Sequence, residues 1–151
     1  MGRSRGGFGS KFHLVTDGGG LPLAVEVSAG QAHESTYFEP VMNAVRVPQL
    51  KGRPRTRPEA LAGDKGSSCR WIREWLREHK IRVVIPRQSN ERQDNRMVFD
   101  RDEYRRRSVV ECCVGWLKEC RRIATRFEKL ALNFLAMLKL AIIEQYLRYE
   151  F

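Results

Sequence analysis

The chain has 151 residues, 42% hydrophobic and 30% charged, enough for one soluble domain with a core of its own. With 28 Lys and Arg against 18 Asp and Glu it carries a net charge of +10, which favours a polyanionic partner, nucleic acid ahead of an acidic membrane, unless the protein is merely basic. MGRSRGGFGSKF lacks the apolar stretch of a secretory leader. The most apolar segment, LALNFLAMLKLAII, is interrupted by Asn133 and Lys139 and is too short for a bilayer, so a cytoplasmic protein without a membrane contact is expected.

In chain order, SKFHLVTD and PLAVEVSA alternate as strands and GGGL supplies their turn, giving a hairpin over Ser10 to Ser28. Ser35 or Thr36 then caps a helix over YFEPVMNAVRV, with Pro40 near its start. KGRPRTRPEA is a basic, proline-rich loop, solvated or in contact with phosphate. PEALAGDKG contains a short apolar strand ending at Gly63 and Asp64. Ser67 or Ser68 caps the next helix, CRWIREWLREHK, on which Trp71, Ile72, Trp75 and Leu76 form an apolar stripe. IRVVIPR is a strand halted by Pro86, and QSNERQDNRM is polar and mobile. One helix covers DEYRRRSVVECCVGWLKECRR, and a second, from Phe127 to Tyr149, closes the chain. A hairpin followed by alternating strands and helices predicts an α/β fold, a mixed sheet with helices on its faces. The three tryptophans, Trp71, Trp75 and Trp116, read as core.

Cys69, Cys112, Cys113 and Cys120 have no CxxC spacing, and His13, His33 and His79 are scattered, so reduced, mostly buried thiols are expected and no zinc site. His33 reads as a loop residue with a hydrogen bond. Arg3 and Arg5 lie among glycines, either solvated or near phosphate.

The chemistry gathers in two places. In YRRRSVVECCVGWLK, Tyr104, Arg107, Glu111 and Lys118 fall within roughly 60° of one another on a helix. Val109, Val110, Cys113, Val114 and Leu117 occupy most of the remaining circumference, so a largely buried helix presents one stripe of a carboxylate, two cations and a phenol. Asp64 stands at the carboxyl end of an apolar strand, where α/β sheets place their sites. Each acid also has a plain structural reading, Asp64 as a turn residue or cap and Glu111 as the i, i+4 partner of Arg107. Together, a carboxylate at a strand end and another on a later helix can converge on hard cations. Two metal ions about 4 Å apart activate an attacking oxygen and stabilise a leaving one in phosphodiester chemistry. Two carboxylates are few for two ions, so a third acid is expected.

The order Tyr104, Arg107, Glu111, Lys118, with two, three and six residues between them, resembles the Y-(2)-R-(3)-E-(6)-K signature of bacterial insertion-sequence DDE transposases. GRSRGGFGSKFHLVTDGGGLPL, AGQAHES, the Asp64-Lys65-Gly66 turn and WLKECRRIATRFEKLALNFLAML resemble that family too, so the likeness covers nearly the whole chain. It implies a ribonuclease-H-like fold in which Asp64 is the second catalytic carboxylate and Glu111 the third. Tyr104, Arg107, Lys118 and Lys65 would contact DNA. Two Mg²⁺ ions would serve strand cleavage and then 3′-OH attack on target DNA.

The family's first aspartate closes a strand preceding GRSRGG, so residues 1–151 are expected to be a partial catalytic domain without that strand or the N-terminal DNA-binding domain. Asp17, in the turn VTDGGG, reads as a turn residue and not as its substitute. The family usually has an aromatic and an acid where Ser67 and Ser68 stand, an arginine at Cys112 and an aromatic at Cys120. The expected partners are the element's terminal repeats, target DNA, a transposase segment supplying the first aspartate, and other copies pairing through an open hairpin edge. The competing expectation is a catalytically dead DNA-binding remnant that competes with an intact transposase.

Overall fold

A computed structural model describes residues 2–4, 7–87 and 100–149. QSNERQDNRM and Arg5 lie outside the described residues, as does the side chain of Arg3. The alternating N-terminal segment forms a three-stranded antiparallel sheet of β1 (Gly2–Ser4), β2 (Gly7–Thr16) and β3 (Pro22–Ala29). Ser10 pairs with Ala29 and Val15 with Ala24, and the register shifts between Val15 and Thr16. The turn is fixed by Asp17, whose Oδ1 accepts from the N–H of Gly19 and of Leu21, each at 2.9 Å. Gly20 follows at φ +92°, a conformation that favours glycine.

The period of two sends successive side chains of the hairpin to opposite faces, and both faces are covered. Phe12, Leu14, Val25 and Val27 pack on Cys113, Leu117, Ile123, Phe134 and Leu138. Those residues come from α4 (Ser108–Glu119), α5 (Arg121–Thr125) and α6 (Ala131–Tyr149). On the other face, Val15 and Ala24 meet Val41 and Val45 at α1 (Phe38–Ala44). The hairpin is therefore the middle of three layers.

A second sheet pairs β4 (Ala60–Ala62) parallel to β5 (Arg82–Val84), and α2 (Arg70–Glu78) connects them. Ile72 and Leu76 of α2 pack with Met42, Leu61, Val83 and Ile85, which buries these two residues of the predicted stripe. Between β5 and α4 lies α3 (Arg101–Arg105).

Several expectations are corrected. The described strands make two separate sheets and not one mixed sheet, and β1 was not anticipated. The single helix expected over residues 102–122 is three, α3, α4 and α5. Arg106 and Arg107 keep right-handed dihedrals, but Arg107, Val109 and Val110 donate to the third residue back, a 3₁₀ pattern that separates α3 from α4. The backbone turns again at Cys120, extended at ψ 104°, and at Arg126, left-handed at φ 47°, so the last helix starts at Ala131 and not at Phe127. His33, and neither Ser35 nor Thr36, caps the 3₁₀ turn Glu34–Tyr37 that leads into α1. The side chain of neither Ser67 nor Ser68 caps α2, whose N-cap is Cys69. Trp71 is 39% exposed, while Trp75 and Trp116 are half-buried. Cys112 is exposed, Cys113 buried, and all four thiols are free. No described helix is long and apolar enough to cross a membrane.

Candidate active site

Asp64 sits just past the carboxyl end of β4, the strand paired in parallel with β5. The chain leaves the strand there and closes a 3₁₀ turn, Lys65–Ser67, with Asp64 as its N-cap. Asp64 Oδ1 accepts from the N–H and the hydroxyl of Ser67, both at 2.9 Å. Gly66 lies close beneath the carboxylate, where any Cβ would come within 3.3 Å of Oδ1. Asp64 and Lys65 are both exposed. The following Ser68 is buried, and its Oγ accepts from Arg73 of α2 at 2.8 Å. Arg73 also donates to the carbonyls of Ile85 and Pro86, so one guanidinium ties the Asp64 turn to the end of β5. Ser67 and Ser68 thus hold the turn together. Sequence reasoning missed Arg73; its only signal was an arginine beside the apolar stripe of α2.

Glu111 sits in the first turn of α4, just past the break that separates that helix from α3. Arg107 donates to Glu111 at 2.8 Å, and its guanidinium lies 5.4 Å from the centre of the Tyr104 ring. Phenol, guanidinium and carboxylate therefore stay in one contact set although two helices supply them. The side chain of Arg107 is 28% exposed and that of Glu111 62%. Lys118 is also exposed, on α4 about 10 Å along the axis from Glu111. Arg82 of β5 donates twice to Glu103 of α3, which fixes α3 against the parallel pair.

Between β2 and β4 opens a cavity of about 590 Å³, with Arg106, Arg107, Arg55, Arg57 and Glu59 among its lining residues and neither Asp64 nor Glu111. Arg107 thus reaches both the acid and this cavity. Arg55 pairs with Glu59 at 2.9 Å, and the loop carrying it is held to Val47 by an isolated bridge. Asp17 and His33 are occupied locally, Asp17 in the hairpin turn and His33 with Ser35 Oγ at 2.7 Å.

Among the described residues, no group of three or more His, Cys, Asp or Glu could hold a metal ion. Asp64 is engaged by Ser67 and Glu111 by Arg107. The donor set present falls short of a two-ion centre, which needs several oxygen ligands around each cation.

A family profile described as transposase DDE domain matches residues 2–143. A Burkholderia cepacia protein, named as the proposed transposase for insertion sequence element IS402, is 33% identical over 133 residues. That stretch is 87% of this chain but 60% of the relative, so the chain spans less than two thirds of the length of the curated protein it matches. No solved structure matches the chain.

Proposed function

The chain belongs to the transposase DDE-domain family, and on that premise we propose that it is the catalytic segment of an insertion-sequence transposase, cutting and joining phosphodiesters of DNA. The observation that carries this reading is the contact set of Tyr104, Arg107 and Glu111, kept together across a helix break that could have scattered it. Asp64, exposed beyond a parallel strand, is the second acid of the reading; Lys65 follows it in the chain, Arg107 is paired with Glu111, and Lys118 lies farther along α4. The fold proposed is ribonuclease-H-like. It is supported by an antiparallel hairpin layered between helices and by a parallel strand pair that carries an acid at its carboxyl end.

In this reading Asp64 and Glu111 serve a divalent cation, Mg²⁺, and the remaining carboxylate comes from polypeptide beyond this chain. The test is reconstitution of the chain with the polypeptide encoded beside it, followed by cleavage of DNA bearing the element's ends. Glu111→Ala and Asp64→Ala should each lower Mg²⁺-dependent cleavage by roughly 10³-fold, since several kcal/mol of charge stabilisation depend on such groups. Undiminished cutting by either variant removes that residue from the mechanism.

A second reading is a DNA-binding segment without turnover, favoured by the finding that among the described residues no three acids are grouped to hold a metal ion. Its net charge of +10 predicts affinity that falls steeply with salt as counterions are released. Steep salt dependence with no cleavage after reconstitution would select it, and salt-insensitive binding would count against the basic surface in both readings.

A further inference from the structure

Two faces of α6 are apolar, and the fold buries one of them. Phe134, Leu138 and Ala141 are enclosed in the packing on the hairpin. On the opposite face Leu132, Leu140, Ile143 and Leu147 are each more than half exposed, from 54% at Ile143 to 74% at Leu132, and Ala136 is exposed among them. At about 100° per residue these five positions fall within roughly 80° of one another, one stripe and not scattered leucines. A helix apolar all round belongs in an interior. By contrast, α2 turns Arg70, Arg77 and Glu78 to solvent opposite its buried Ile72 and Leu76.

The two borders of the stripe carry opposite charge. Lys139 stands on one, about 20° beyond Leu132, and Glu144 on the other, about 40° beyond Leu140, and both are exposed. Glu144 accepts from Arg148 at 2.7 Å and still leaves half of its side chain to solvent. When two such helices lie side by side and parallel, the Lys139 border of one runs along the Glu144 border of the other. The step from Lys139 to Glu144 is also that from a g position to the next e position of a heptad, the places where flanking charges pair across parallel helices. In an antiparallel pair centred on the stripe, Lys139 would stand beside its own copy, like charge against like.

We propose that the outer face of α6 docks a second copy of this chain, the two helices packed parallel about a two-fold axis that runs along them. A two-fold contact requires one self-complementary patch, and the stripe with its two borders is such a patch. It extends from Leu132 to Leu147, a rise of roughly 23 Å. Two faces of that length bury on the order of 1,000 Å² in total, at the low end for a specific association, where weak and transient contacts lie. The pair therefore forms at a concentration on the order of tens of micromolar, and in dilute solution the stripe is bare. Urea melts of the dilute chain see a monomer, and changes on the stripe leave its midpoint in place. The axis also keeps Glu111 of both copies at one level along the dimer. The inference goes beyond the catalytic reading, because pairing requires neither Asp64, Glu111 nor DNA, and it uses a different surface from the hairpin edge.

The test is sedimentation equilibrium of the full chain at low salt, with reductant present so that the exposed Cys112 cannot cross-link. From about 1 to 300 µM the chain should pass from monomer to dimer. Ile143→Asp should weaken pairing by about tenfold or more, as loss of a central apolar contact does. Lys139→Glu and Glu144→Lys should each weaken it about tenfold, because two symmetry-related attractions become repulsions of similar size. An equimolar mixture of those two variants should pair as wild type does, since every flanking contact between unlike chains is again of opposite charge. If Ile143→Asp does not fold, the mixture still decides the matter. The proposal is overturned by a monomer throughout the range, by a dimer that Ile143→Asp leaves intact, or by a mixture that pairs no better than either variant alone. The other occupant is tested by adding, as a separate polypeptide, the part of the Burkholderia cepacia relative that this chain does not cover. Binding of it that Ile143→Asp abolishes, with no dimer in the chain alone, would give the stripe to that part and overturn the pairing.

Discussion

Arg107 and Glu111 form a 2.8 Å ion pair one helical turn apart, and the same guanidinium faces the Tyr104 ring. Glu111 is thus a partner in a local pair and an acid presented to solvent, and the two roles separate by magnitude. A pair as exposed as this one contributes ~0.3–0.5 kcal/mol to a helix. Glu111→Gln should therefore leave the urea unfolding midpoint nearly unchanged. A large loss of cleavage in that variant would be chemical, whereas a large loss of stability would show that Glu111 does more for the fold than its exposure allows.

Asp64 allows a similar separation. Its Oδ1 takes two bonds from Ser67, so Asp64→Ala should cost about 1 kcal/mol, the usual effect of removing an N-cap acceptor. Asp64→Asn keeps an oxygen acceptor and should lie within a few tenths of a kcal/mol of wild type, roughly the spread among good caps. Equal destabilisation by both, read from denaturant melts, would show that the charge and not the acceptor holds the turn.

Leu117 and Leu138, both fully buried, are the centre of the packing between the hairpin and α4–α6. Leu117→Ala should cost about 2–5 kcal/mol through lost burial and the cavity left behind. Leu147, 60% exposed near the end of α6, should cost within roughly 0.5 kcal/mol on the same change. Similar losses at the two positions would mean that the outer face of α6 is covered in solution.

His13 gives the fold a pH dependence. Its Nε2 lies 2.8 Å from Ser28 Oγ and its ring stacks on Tyr37 at 4.8 Å. Burial, the largest cause, lowers its pKa from the ordinary 6.5, Lys11 lowers it further, and Glu34 and Glu26 act in the opposite sense. With the folded pKa depressed, the unfolded chain binds the proton more readily, so stability is full above about pH 6.5 and declines as pH falls through the folded value. Urea midpoints should drop from pH 7.5 toward pH 5.5, and His13→Gln should flatten that slope; an equally steep slope in the variant would place the dependence elsewhere.

The hairpin, the parallel strands on either side of α2 and the place of Asp64 were legible because alternation, an apolar stripe and a turn-prone Gly-Asp mark them directly. The break between α3 and α4 was not. It falls on Arg106 and Arg107, which keep helical dihedrals and change only their hydrogen bonding, whereas Gly115, the residue that invites a break, lies inside α4. The capping roles were legible in part. Asp64 is the turn residue and cap that its place after a strand suggests, whereas Ser35, Ser67 and Ser68 look like caps but His33 accepts at the first turn and Ser68 is taken by Arg73. Two sheets in place of one were illegible because short strands declare their faces in sequence and not their neighbours.

The adjacent thiols of Cys112 and Cys113 are divided by the helix they share. Cys113 points into the core beside Gln145, and burial pushes its thiol pKa up, while Cys112 is exposed next to Glu111. Since thiolate character and access govern alkylation, a maleimide dye should modify Cys112 ahead of its neighbour. The native chain therefore carries its own attachment point for a fluorophore one residue from the acid, where quenching or anisotropy would report whatever docks on that side of α4.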